Sequence, residues 1–181
     1  MKGSRVSSLS KGLRKVQVTL KWDPSPIGEP PIDLDIVAAT YTTDGPQGEP
    51  AYLVHFGSRS PDGTITLNRD STTGQGFGAD EIMTLELDRL ADGYARVVVG
   101  VVIQQRRAEK TFSGIANTGV RILEGPVELA NDDLSGVPDA TAATIAEFTR
   151  DDTGAWQLRT SVRGFEADPA EFAKLMGARF L

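Results

Sequence analysis

Lys15-Val16-Gln17-Val18-Thr19-Leu20-Lys21-Trp22 is the stretch that decides the fold class. Val16, Val18, Leu20 and Trp22 fall on one side of an extended chain, and Lys15, Gln17, Thr19 and Lys21 on the other. Strict alternation marks a strand with one face buried and one in water. The dense prolines Pro24, Pro26, Pro30 and Pro31 then form a loop, because they cannot pair in a sheet interior. Residues 34–41 and 51–56 read as strands around a Gly/Pro-rich turn, and Ser60-Pro61-Asp62-Gly63 is a further turn. Residues 82–87 alternate again. Residues 97–103 are continuously apolar, as in a central strand covered on both faces.

The C-terminal half continues in the same way. Residues 120–123 and 127–130 are short strands around Glu124-Gly125-Pro126. Residues 141–149 carry helix-compatible alanines. However, Thr144, Ile145, Phe148 and Thr149, followed by a hairpin turn at Asp151-Asp152-Thr153-Gly154 into residues 156–162, favour a strand. One segment, 168–176, has the signals of a helix: Asp168 as N-cap, Pro169 in the first turn and Gly177 at the C-cap. Many short strands with Gly/Pro turns and one late helix predict an all-β fold, a two-sheet antiparallel β-sandwich with a short C-terminal helix. One domain over residues 1–181 is expected, with residues 1–10 as a loose arm or an early edge strand.

Composition removes several classes of function. The chain has no Cys, which excludes disulfides, zinc–thiolate sites and thiol catalysis. Its single histidine, His55, argues against zinc and against imidazole acid–base machinery. In residues 52–56 it shares a strand face with Leu53, so it reads as a satisfied structural histidine. The formal charge of −6 and pI near 4.8 disfavour a nucleic-acid partner. The longest apolar run has about a third of the length of a membrane span. No long apolar stretch follows the basic residues at the N-terminus, so a cytoplasmic protein without a secretory signal is expected.

The polar residues concentrate in two loops. Pro31-Ile32-Asp33-Leu34-Asp35 opens the second strand, and Asp33 and Asp35, two apart, point to one face about 7 Å apart at Cα. Two carboxylates on one partly buried face repel each other. A cation between them resolves this; so would Lys21, Arg69 or a solvated position. The second loop is Asp70-Ser71-Thr72-Thr73-Gly74-Gln75-Gly76-Phe77-Gly78-Ala79-Asp80-Glu81. It is not an EF-hand: Gly74 and Gln75 stand where that pattern needs an oxygen-bearing side chain and a glycine, and its flanks read as strands. Gly74, Gly76 and Gly78 predict a tightly wound backbone. Carboxylates and carbonyls are hard oxygen ligands of the kind Ca²⁺ prefers, and a mobile polar loop is the plain alternative.

These motifs, in this order, resemble the TerD family of tellurite-resistance and stress-response proteins. The matching features begin with Val6-Ser7, Leu9-Ser10-Lys11-Gly12, Trp22-Asp23 and Asp33-Leu34-Asp35. Ser60-Pro61-Asp62-Gly63, Gly74-x-Gly76-x-Gly78-x-Asp80-Glu81 and Phe112-x-x-Ile115-x-x-Thr118-x-x-Arg121 follow, then Trp156 and Gly164-Phe165. The resemblance implies a sandwich that binds Ca²⁺ in clustered loops and serves bacterial stress and tellurite resistance without enzymatic turnover. It implies metal-site roles for Asp23, Asp33, Asp35, Asp70, Asp80 and Glu81, with carbonyls from around Gly74, Gly76 and Gly78. The chain departs from the family pattern at Pro31, Ser71, Gln75, Phe77 and Ala79, and the second loop loses three negative charges there. Fewer charged ligands imply a weaker or single Ca²⁺ site.

Catalytic readings find little support. No Gly-x-Ser-x-Gly elbow surrounds a serine, and no Gly-rich nucleotide loop leads into a helix. A carboxylate pair of glycosidase type has nothing to single it out among 25 acids. With no Cys and one His there is no soft ligand set for tellurium. The second class is a metal-independent interaction scaffold within a stress-response complex of protein partners. Gln104-Gln105-Arg106-Arg107 would then be a docking edge, or else simply a solvated strand end.

Overall fold

A computed structural model describes residues 12–105 and 109–178. The expected N-terminal arm and the motif residues Val6 to Lys11 lie outside the described residues, as do Arg106 and Arg107. Ten strands run in chain order: β1 (Lys15–Lys21), β2 (Leu34–Thr42), β3 (Tyr52–Val54), β4 (Ile65–Arg69), β5 (Glu81–Glu86), β6 (Tyr94–Ile103), β7 (Gly119–Glu124), β8 (Val127–Asp132), β9 (Ala142–Arg150) and β10 (Trp156–Phe165). They form two antiparallel sheets, ordered β4-β5-β1-β7-β8 and β10-β9-β6-β2-β3. The two-sheet sandwich predicted from the strand spacing is the observed architecture. Among the described residues, no helix is long and apolar enough to cross a membrane.

Alternation places the core. Val16, Val18, Leu20 and Trp22 of the first sheet are fully buried, as are Met83 and Leu85. They pack with Leu34, Ile36, Ala38, Val97, Val99 and Val101 of the second. The intervening β6 residues Val98 and Val102 face the other way, where Phe172 and Met176 cover them in a second, smaller apolar cluster. That is why residues 97–103 carry no polar side chain: this strand is the middle of a sheet with protein on both faces.

The single α-helix among the described residues, α1 (Pro169–Leu175), starts as its sequence dictates. The Asp168 carboxylate accepts the backbone N–H of Glu171 at 2.8 Å, and Pro169 occupies the first turn. Its end differs from expectation. Gly177 does not cap the helix with a positive φ. It is small because a side chain there would run into the ring and hydroxyl of Tyr41.

Two further differences have local causes. The run 51–56 is a strand only over Tyr52–Val54, because His55 turns back to exchange backbone hydrogen bonds with Ser58 (3.0 and 3.1 Å). Residues 65–69, unassigned by the sequence reading, are edge strand β4.

Candidate metal centre

The site lies where β2 and β5 begin. β5 alternates Glu81, Met83 and Leu85 toward the core, so Glu81 is carried into the protein interior by the period that buries its apolar neighbours. It is fully buried. Its Oε1 accepts the backbone N–H of Ile36 at 2.8 Å, which ties β5 across to the opposite sheet. Its Oε2 is enclosed and receives no hydrogen bond. Asp33 and Asp35 bring their carboxylates to the same place, and ligand oxygens of Asp33, Asp35 and Glu81 lie within 4.8 Å of one another. Asp35 is buried and accepts from Gln104 Nε2 at 2.8 Å. Asp33 Oδ1 is a second enclosed oxygen with no donor. Asp70, just past the end of β4, is close enough to act on all three acids.

The electrostatics follow from this crowding. Burial, reinforced by the Asp35 and Asp70 carboxylates, pushes Asp33 up to about 7. Burial also raises Glu81, with Asp70 and Asp35 adding to the effect, and raises Asp35 against the opposing bond from Gln104. Three clustered acids, two buried and Asp33 half-buried, with one polar side-chain donor between them, hold their protons or share a cation. The available donors are hard oxygens, without thiolate, which is the chemistry of Ca²⁺ or Mg²⁺ sites.

The other six residues expected at the site fall elsewhere or beside it. Asp80 is adjacent to Glu81 but points to the opposite face. Its Oδ2 accepts the backbone N–H of Trp22 at 2.8 Å, and Lys21 and Arg69 offset the cost of its burial. Asp23 stands on Asp80's side and accepts from Asn117 Nδ2 at 2.7 Å. The glycine loop is wound as predicted, with φ of +77° at Gly74, +115° at Gly76 and +75° at Gly78. Gly74 is also a packing requirement: a Cβ there would sit 2.5 Å from Trp22 Nε1. The Gly78 carbonyl accepts from Lys21 Nζ at 3.1 Å, so a protein ammonium stands at an oxygen that the sequence reading gave to a metal. Asp70 borders the cluster.

Gln104 is a site residue that was not among the expected ligand set. It belongs to the site through Asp35, whereas Gln105 closes its own loop with the backbone of Lys110 at 2.8 and 3.1 Å. Its position directly after a central strand that pairs with β2 in register (Leu34 with Ile103) was the available signal. His55 is half-buried, and its Nδ1 accepts the N–H of Gly57 at 3.0 Å, which leaves the ring proton on Nε2.

Comparison with known proteins agrees with this architecture. The family model described as TerD domain matches residues 1–175. Tellurium resistance protein TerD of Alcaligenes sp is 28% identical over 172 residues, spanning 91% of this chain and 88% of that one. Stress response protein SCP2 of Bacillus subtilis (strain 168) is 30% identical over 139 residues, 68% of this chain and 69% of the relative. The crystal structure of a homologue of telluride resistance protein (TerD) from Streptomyces coelicolor A3(2) superposes with a TM-score of 0.90 at 56% identity, covering 92% of this chain and 99% of that one. The chain belongs to the TerD family.

Proposed function

We propose that this TerD-family chain is a non-enzymatic Ca²⁺-binding protein of a cytoplasmic stress-response system, of the kind its relatives' names associate with tellurium resistance. The observation that carries the reading is Glu81 Oε2, fully enclosed, without a donor, and set among the carboxylates of Asp33 and Asp35. A bound divalent ion supplies the positive charge that this pocket lacks. Asp33, Asp35 and Glu81 would hold it, with Asp70 completing the negative field. Gln104 keeps Asp35 oriented toward the ion through its 2.8 Å bond. With Gly78's carbonyl engaged by Lys21 and Asp80 by Trp22, the ligand set contracts to one cluster. Among the described residues, the acids gather with Gln104 and without a nucleophile–base pair, which supports binding and not turnover.

Calorimetric titration of the full chain with Ca²⁺, in parallel with Asp35→Ala, tests the proposal. One binding event in the parent that disappears in the variant is the expected result. Absence of heat and of any thermal shift at millimolar Ca²⁺ defeats it. A metal-independent scaffold is the second reading, favoured by the Lys21 ammonium already seated on the glycine loop. Capture of the same protein partners with and without chelator would select it.

A further inference from the structure

The two loops that frame the acidic cluster end in apolar side chains that touch little of the protein. Ile27, in the loop between β1 and β2, is 107% exposed, and Phe77, in the glycine loop, is 97% exposed. Phe56, beside His55 and Asp35 in a cavity of about 310 Å³, is 55% exposed. Five large hydrophobics are exposed among the described residues, and these three stand on loops adjoining the cluster. A single exposed apolar residue is ordinary, but a concentration at one end of the molecule marks a surface that meets another phase.

The loops are built to hold these side chains in place. Trp22 is fully buried and donates from Nε1 to the Ile32 carbonyl at 3.0 Å, fastening the loop that carries Ile27. Gly74 lies against the same indole, which fastens the loop that carries Phe77. One ring therefore anchors both. Lys21 and Arg69 sit against the glycine loop, at Gly78 and Gly76 respectively, so cations flank Phe77. An exposed aliphatic tip, and an exposed aromatic tip with two cations on its loop, suit a lipid interface, which needs no complementary pocket.

We infer that this end of the sandwich docks on an anionic lipid surface when the cluster holds a divalent cation, with Ile27 and Phe77 entering the headgroup–acyl boundary. The inference rests on the Ca²⁺ reading above. Without the ion, the cluster offers a lipid phosphate no positive charge. With it, the bound cation does, because phosphate oxygens are themselves hard ligands for Ca²⁺.

Co-sedimentation with vesicles of phosphatidylcholine and phosphatidylglycerol, in Ca²⁺ and in EDTA, tests this on the full chain. The comparison is with Ile27→Ser/Phe77→Ser, and the thermal shift in Ca²⁺ is recorded for both proteins. The expected result is Ca²⁺-dependent sedimentation of the parent. The double variant should bind at least about tenfold more weakly with its Ca²⁺ thermal shift intact. A normal thermal shift without vesicle binding overturns the docking and leaves the Ca²⁺ site standing, and the exposed tips then belong to a protein interface. Vesicle binding equal in EDTA, or undiminished in the double variant, also overturns it. Absence of any thermal shift removes the Ca²⁺ reading and this inference together.

Discussion

Asp80 and Glu81 are consecutive carboxylates, both fully buried, yet they occupy opposite environments. Asp80 faces the glycine loop, where the Trp22 N–H satisfies one oxygen, the other is enclosed without a donor, and Lys21 and Arg69 supply positive charge. Glu81 faces the interior, where one oxygen has a backbone donor and the other meets only acids. The two-residue period of a strand alone separates them. The comparison teaches that an acidic motif is not a site: one of these acids is a structural acceptor, and the other belongs to a group short of positive charge.

Substitutions on the Asp80 side should act on stability and leave the Ca²⁺ response alone. Gly74→Ala has the largest expected effect. It forces a side chain into the Trp22 indole from a left-handed backbone, at a cost of about 3 kcal/mol. At roughly 2–4 °C per kcal/mol for a chain of this size, thermal denaturation would resolve it easily. Asp80→Ala leaves the buried Trp22 N–H without a partner and should cost about 2 kcal/mol, with an unchanged Ca²⁺-induced rise in Tm. Loss of that rise would show that the two acids share one site.

Glu81→Gln is the reverse case. The amide oxygen can still accept from Ile36, and the neutral amide matches the protonated form toward which burial holds the acid. Stability in EDTA should therefore change by no more than about 1 kcal/mol, while the Ca²⁺ shift disappears. A smaller effect concerns pH. Folded Asp33 holds its proton up to about 7, whereas an unfolded aspartate releases it near pH 4. Between those values the folded state binds more protons. Stability in EDTA therefore falls as pH rises from about 4 through about 7, and the raised Glu81 continues the fall above that. Ca²⁺ needs the ionised acids, so the Tm increment it produces should grow over the same interval. A flat EDTA profile would mean that Asp33 titrates normally.

The sandwich was legible because its signals are local. Lys15–Lys21 alternates, residues 97–103 are apolar throughout, and Asp168-Pro169 announces a helix start. Asp33 and Asp35 were legible as a pair for the same reason. Their meeting with Glu81 is a contact across 45 or more positions of chain, and only the resemblance to a family, not spacing, pointed to it. The division between Asp80 and Glu81 was hidden because it depends on which face of β5 meets the opposite sheet. Residues 65–69 were passed over because an exposed edge strand has little apolar pattern to read.

The helix laid on the outer face of the second sheet has a consequence for how the molecule breathes. Seven residues are too few for a helix to persist alone in water. It is held by Phe172 and Met176 in an apolar cluster separate from the sandwich core, and by Arg96. That buried guanidinium pairs with Glu147 at 2.8 Å and grips the Gly177 carbonyl at 2.7 Å. Such an arrangement forms a cooperative unit of its own, able to detach while the two sheets stay closed. Amide hydrogen exchange should therefore resolve two tiers of protection. Phe172 and Met176 should exchange through partial opening, and the β6 amides only when the entire molecule unfolds.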